Sequence, residues 1–183
     1  MLRIIESMLE EDERERDLEE YPNYGNGVLA QYIEFFGGQL SERTKSFLEN
    51  IRVLNRHHLK TLREKEKLEL YAGPYLRYEW PALLPRLLFK LIHMFGYPSL
   101  RVSVGNVNTF SYLFLYKGHI IEVYDHKGDI LFQHHTLYSL EEEDNTITPK
   151  EGAEEILKEF AENLLRIIMD VTPLHYGGAR IFL

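Results

Sequence analysis

Apolar residues recur along this chain with a helical period first and with an alternating period later, and the change falls near residue 100. Leu2, Ile5 and Leu9 are spaced by three and four, which predicts a helix over residues 2–20. "YPNYGNG" interrupts it through Pro22, Gly25 and Gly27, and a short apolar helix, "VLAQYIEFF", then stops at the Gly37–Gly38 pair. Ser41 is placed to cap a third helix that meets no Gly or Pro until about Leu70. Phe47, Ile51, Leu54, His58 and Leu62 would share its buried face. Some 28 residues at 1.5 Å each give roughly 42 Å, longer than a small domain is wide. Part of that helix is expected to project or to lie along a partner. "YAGPYLRYEWP" ends it, and Pro81 to Phe95 reads as a helix that is apolar around most of its circumference. Only Arg86, Lys90 and His93 mark a polar strip on it, the pattern of a helix central to a core.

Beyond residue 100 the segments "LRVSV", "TFSYLFLYKG", "HIIEVYD" and "DILFQHHTLY" are rich in aromatic and β-branched residues and are separated by turns containing Gly. They predict an antiparallel meander of three to five strands. "TPKE" then supplies Thr148 as N-cap, Pro149 at the first helical position and Glu151 at the third, a capping box. Ile156, Leu157, Phe160, Leu164, Ile167 and Ile168 face inward on the helix that follows, and the end of "HYGGARIFL" is a candidate edge strand. The expected class is α+β in one domain spanning 1–183, with 1–70 a helical arm and 71–183 the α+β core.

Composition narrows the function classes. At 183 residues, 44% hydrophobic and 27% charged, the chain can bury one core and is not of disordered type. The net charge of −8 opposes non-specific binding to phosphate backbones, yet 29 acidic against 21 basic residues is too balanced for a nucleic-acid mimic. Having no cysteine removes disulfides, thiolate nucleophiles and cysteine-bearing zinc motifs, and it fits a reducing, cytoplasmic setting. "MLRIIESMLEEDERERDLEE" lacks the basic lead and small-residue cleavage site of a secretory signal. "WPALLPRLLFKLIHMFGY" is interrupted by Arg86, Lys90 and His93, so no membrane span is expected.

Four of the eight histidines fall within "HIIEVYDHKGDILFQHHT". With a three-residue loop closing on a left-handed Gly128, Asp125 faces Asp129 and His119 faces His135, their Cβ atoms about 5 Å apart. Two such imidazoles are candidate ligands for Zn²⁺ or Ni²⁺, but a site needs a third ligand. Glu122 alternates onto the wrong face, and His175 would have to come from the C-terminal loop. A two-residue loop would instead pair His119 with Thr136 and dissolve the constellation. His134 and Thr136 also form an H-x-T pattern, although phosphodiester chemistry of that kind needs two such motifs and the chain has one. Partly exposed histidines at a strand end are the simpler reading. His58 reads as a hydrogen-bonded core residue. No phosphate loop, G-x-S-x-G elbow or H-E-x-x-H occurs, and no cofactor is expected.

Two charged stripes stand out more clearly. Arg52, Arg56, Lys60, Arg63 and Lys67 recur at four, four, three and four, within roughly 80° of helical arc nearly opposite the apolar face. Glu6, Glu10, Glu13, Asp17 and Glu20 do the same on the first helix with opposite sign. Three readings compete: both are solvated faces; they face each other, within or between chains; or the basic stripe meets phosphates, which the interspersed acids oppose. The leading expectation is a non-catalytic intracellular protein-binding protein, an adaptor, regulator or inhibitor, that uses the basic row for a protein partner or for self-association. A small metal- or histidine-dependent phosphodiester hydrolase built on His119 and His135 is the alternative, and a structural component of a larger assembly is the second.

Overall fold

The computed structural model describes residues 24–79, 84–98, 100–104, 107–141, 150–169, 174–176 and 179–181. Within them, helix α1 (Tyr24–Phe36) leads through a 3-10 turn (Gly37–Gln39) to α2 (Glu42–Glu49), strand β1 (Ile51–Leu54), α3 (Arg56–Glu64) and β2 (Leu68–Tyr78). Then come α4 (Leu84–Phe95), β3 (Leu100–Val104), β4 (Val107–Tyr116), β5 (His119–His126) and β6 (Asp129–Ser139). Helix α5 (Ala153–Met169) and a small hairpin, β7 (Leu174–Tyr176) with β8 (Ala179–Ile181), follow. The α+β class holds. One antiparallel sheet of six strands runs β1-β4-β5-β6-β2, with β3 also on β4, end to end with β1 along the same edge.

The predicted helix from Ser41 to Leu70 does not form; α2, β1, α3 and the start of β2 replace it. Ser41 does cap, its Oγ accepting the Thr44 N–H at 3.2 Å. Asn50 then closes α2, its side-chain amide donating to the Ser46 carbonyl at 2.7 Å. "IRVL" alternates, with Ile51 and Val53 buried and Arg52 exposed, so it suits the open edge of β4. Asn55 opens α3 by a reciprocal box: its side chain accepts the His58 N–H, and its own N–H donates to His58 Nδ1, both at 3.1 Å. His58 is therefore a cap rather than a core residue. Phe47, Leu48, Ile51 and Val53 join the same core cluster as the strands and α5.

Strand period two divides the sheet into two faces. On the core face Phe110, Tyr112, Phe114, Tyr116, Ile121, Val123, Ile130 and Phe132 are all buried. Phe160 of α5 stands among the rings of Phe47, Phe114, Tyr116 and Phe132, with centroids 5.4–6.4 Å away. From α4, Leu87, Leu91, Met94 and Phe95 complete this layer. The polar strip on α4 has an internal purpose. Buried Lys90 donates to the Ile167 carbonyl at 2.8 Å, placing a cation on the negative end of α5. Helix α5 packs on the sheet as expected, and its start lies at Ala153, after Gly152 at φ +75°. Thr148 and Pro149 of the predicted capping box lie outside the described residues, as does the acidic stripe of residues 6–20.

Candidate functional site: the histidine face and the outer groove

Both hairpins around β5 close through two-residue Lys-Gly loops. Lys117 and Gly118 have φ of 48° and 77°, and Lys127 and Gly128 have 52° and 92°, the left-handed pair of a type I′ turn. The second turn sets His126 opposite Asp129, Ile121 opposite His134 and Ile120 opposite His135. One residue less in the loop than expected turns the register by one. His119 and His135 consequently lie on opposite faces, and the metal pair predicted for them is not assembled. Among the described residues no three His, Asp or Glu side chains converge to hold a metal.

Two different histidine arrangements result. On the core face His119 Nδ1 and His134 Nε2 share one hydrogen bond at 3.0 Å, and both rings are buried, His134 completely. Burial, then the neighbouring His119, His135 and Lys150, holds the His134 pKa down at about 4. His119 is lowered too, by burial and by Lys150, whose ammonium bonds the Gly118 carbonyl at 2.6 Å. The pair is neutral at neutral pH and sealed. Gly73 explains part of the seal: β2 carries a one-residue bulge in which Gly73 and Pro74 together oppose His134, and a Cβ at position 73 would stand 3.3 Å from the His134 carbonyl oxygen. The bulge and Pro74 also blunt β2, whose outer edge pairs with no strand among the described residues.

On the outer face Glu122 accepts from Ser111 Oγ and pairs with His135 Nε2 at 2.8 Å. Burial pushes its carboxyl up, but the hydrogen bonds from His135 and Ser111 outweigh that and leave it below the usual range. The carboxylate stands between serine and histidine, so the imidazole does not reach the hydroxyl to activate it. Beside this cluster Gln133 donates to the Gly73 carbonyl at 2.6 Å, and Arg77 Nε donates to Asp129 at 2.7 Å. These contacts tie β2, β5 and β6 together.

The sequence-predicted basic row is divided. Arg52 lies on β1 opposite Leu115, and Lys67, at φ 52°, turns its ammonium back onto the Glu64 carbonyl at 2.9 Å at the end of α3. Arg56, Lys60 and Arg63 alone keep helical spacing, exposed along α3. The link from β1 to β2 joins opposite edges of the sheet, so α3 must cross its width. It crosses on the outer face, where Leu59 and Leu62 of α3 meet Leu68, Leu70 and Leu137. A nine-residue helix does not fill that span. Between helix and strands it leaves a half-open groove of about 430 Å³, flanked by Lys60, Arg63, Glu64 and Glu69. Leu137 is 39% exposed within it. Sequence periodicity identified the basic residues of this groove and, in Leu62, one of its apolar ones, but not the floor as a whole, where Leu68 and Leu70 of β2 meet Leu137 of β6 from a remote part of the sequence.

Compared with known proteins, the chain matches no family model, no curated protein and no solved structure. No helix among the described residues is long and apolar enough to cross a membrane.

Proposed function

We propose that this protein is a non-catalytic binding protein, an intracellular adaptor or regulator, that receives an amphipathic, acidic polypeptide segment in the groove between α3 and strands β2 and β6. The single observation that carries this reading is the groove itself, with a leucine floor and a flank on which the exposed cations Lys60 and Arg63 stand beside Glu64 and Glu69, Arg63 Nε lying 3.9 Å from Glu69. An amphipathic helix lays apolar residues at three- and four-residue steps into such a groove, and burying them supplies the affinity. The cations select orientation and sign: each exposed pair contributes only about 0–1 kcal/mol, whereas a like charge in the same place is repelled. The sealed His119–His134 pair offers a substrate no route in, so the binding reading takes precedence over the hydrolytic one.

The test is a panel of labelled amphipathic peptides that differ only in net charge, titrated by fluorescence anisotropy. Acidic members should bind and basic members should not. Leu137→Glu should weaken binding more than tenfold, and Lys60→Glu with Arg63→Glu should invert the charge preference. Equal binding of both sets, or binding indifferent to Leu137→Glu, rejects the reading.

A further inference from the structure

The helix that walls the groove is closed at its start by a group that titrates. A capping box needs an N3 side chain that accepts the N-cap N–H, and glutamate or glutamine commonly supplies it. In α3 that residue is His58. A backbone amide can only donate. The Asn55 N–H, 3.1 Å from His58 Nδ1, therefore requires a lone pair on that nitrogen and places the single proton of the neutral ring on Nε2.

An imidazolium has no such lone pair, because both of its nitrogens donate. Protonation would set N–H against N–H at Asn55 and take away the acceptor of that amide. It would also put a positive charge on the first turn of α3, at the positive end of the helix dipole. Arg56, Lys60 and Arg63 on the same helix add to the repulsion, and Glu64 lies at the far end. The charged groups of the surrounding strands are engaged elsewhere or exposed. On β2, against which α3 packs, Glu69 accepts from Tyr138 Oη at 2.7 Å and lies 3.9 Å from Arg63 Nε, while Arg77 holds Asp129 of β6. His135 of β6 pairs with Glu122 of β5, and Arg52 of β1 is exposed. His58 itself is only half-buried, so protons from solvent reach it.

The rest of α3 is weakly held. Its nine residues fall short of what an isolated helix needs. Its apolar contacts, Leu59 and Leu62 on Leu68, Leu70 and Leu137, are only partly covered. From this geometry we infer that His58 is a proton-sensitive cap, which holds the first turn of α3 while neutral and releases it on mild acidification. The cap accepts only the neutral ring, so its contribution is complete above the ordinary imidazole value of about 6.5 and is lost as pH falls below it. The consequence for partner binding rests on the reading of the groove as a binding surface; the cap itself does not.

Amide hydrogen exchange of the full-length chain at about pH 7.5 and about pH 5.5, expressed as protection factors, tests it. Protection over residues 59–63 should fall about fivefold at the lower value, the size of a lost N-cap contact. His58→Gln supplies an acceptor that does not titrate, and its protection there should be the same at both values. His58→Glu, which keeps the box into the carboxylate range, serves if the glutamine variant does not fold. His134 is intact in all three proteins, so its own response to acid cancels in the comparison. Equal protection of α3 at both values in the parent overturns the inference, and so does an equal fall in the parent and the variant. Anisotropy titrations of the acidic peptides on the same samples report on the groove separately. Binding that weakens at about pH 5.5 in the parent but not in His58→Gln supports both readings. No binding at either value, beside an α3 that loosens only in the parent, removes the groove reading and supports the cap.

Discussion

The two faces of the sheet are built from the same strands by the same alternation, yet they differ in how completely they are covered. The core face meets α5 and α4 over most of its length, and its aromatic side chains lose nearly all contact with water. The outer face is crossed by one short helix; Leu113, Ile120 and Leu131 are still buried there, but Leu68, Leu70 and Leu137 are only partly covered, and the polar residues pair among themselves. Even the histidines divide this way. His134 is neutral and sealed on one side, while its neighbour His135 pairs with a carboxylate on the other. The two faces thus differ in cover, which is nearly complete beneath α4 and α5 and partial beneath α3.

That division can be broken most forcefully at Phe160. Phe160→Ala removes the ring that four other aromatic residues surround, and a loss of about 3–5 kcal/mol is expected in urea unfolding. A loss below about 1 kcal/mol would mean that this face is not the packed one. Next in size is a pH effect. The fold holds His134 well below its ordinary pKa, so below pH 6.5 the unfolded chain takes up a proton that the folded chain refuses until about pH 4. Stability is then complete above that window and declines by about 2–4 kcal/mol as pH falls from about 6.5 to 4. His119, lowered in the same direction, adds to the decline from about pH 6.5 downward, and Glu122, held below the usual carboxylate range, adds to it at the acid end. His134→Asn should flatten the slope, and an unchanged slope would place the titrating group elsewhere.

A smaller effect sharpens the comparison at the turn that assigns residues to faces. Lys127→Asn puts a residue that tolerates positive φ at the first turn position, and thermal unfolding should show a gain of about 0.5–1 kcal/mol. A loss would argue for the longer loop, hence for exchanged faces. The smallest stability effect is expected at the groove. Leu137→Glu should stay within about 0.5 kcal/mol of the parent in the same unfolding measurement while it removes peptide binding. A large destabilisation there would show the outer face to be core as well.

Much of this fold was legible from periodicity. The meander, α4 and α5 follow from repeated spacings within single elements, where each residue's neighbours are close in the chain. The stretch from Ser41 to Tyr78 was not. Four residues, Ile51–Leu54, are too few to separate period two from period 3.6, and Leu54 and His58 extended a helical pattern across the boundary. Asn50 and Asn55, the residues that end one helix and start the next, were the local signal that marked it. The candidate site was legible in part: Lys60 and Arg63 were picked out by charge, while the histidine pair was assigned from a loop one residue too long.

Taken alone, the order of residues determined which segments are amphipathic, which strands follow one another and where charge gathers, because those properties depend on a few adjacent positions. Tertiary structure alone decided that "IRVL" would extend, since its hydrogen-bonding partners are on β4 some sixty residues later. It also decided which histidines meet: a single residue in a turn exchanges the faces of a strand, and the choice rests with the packing of both faces at once.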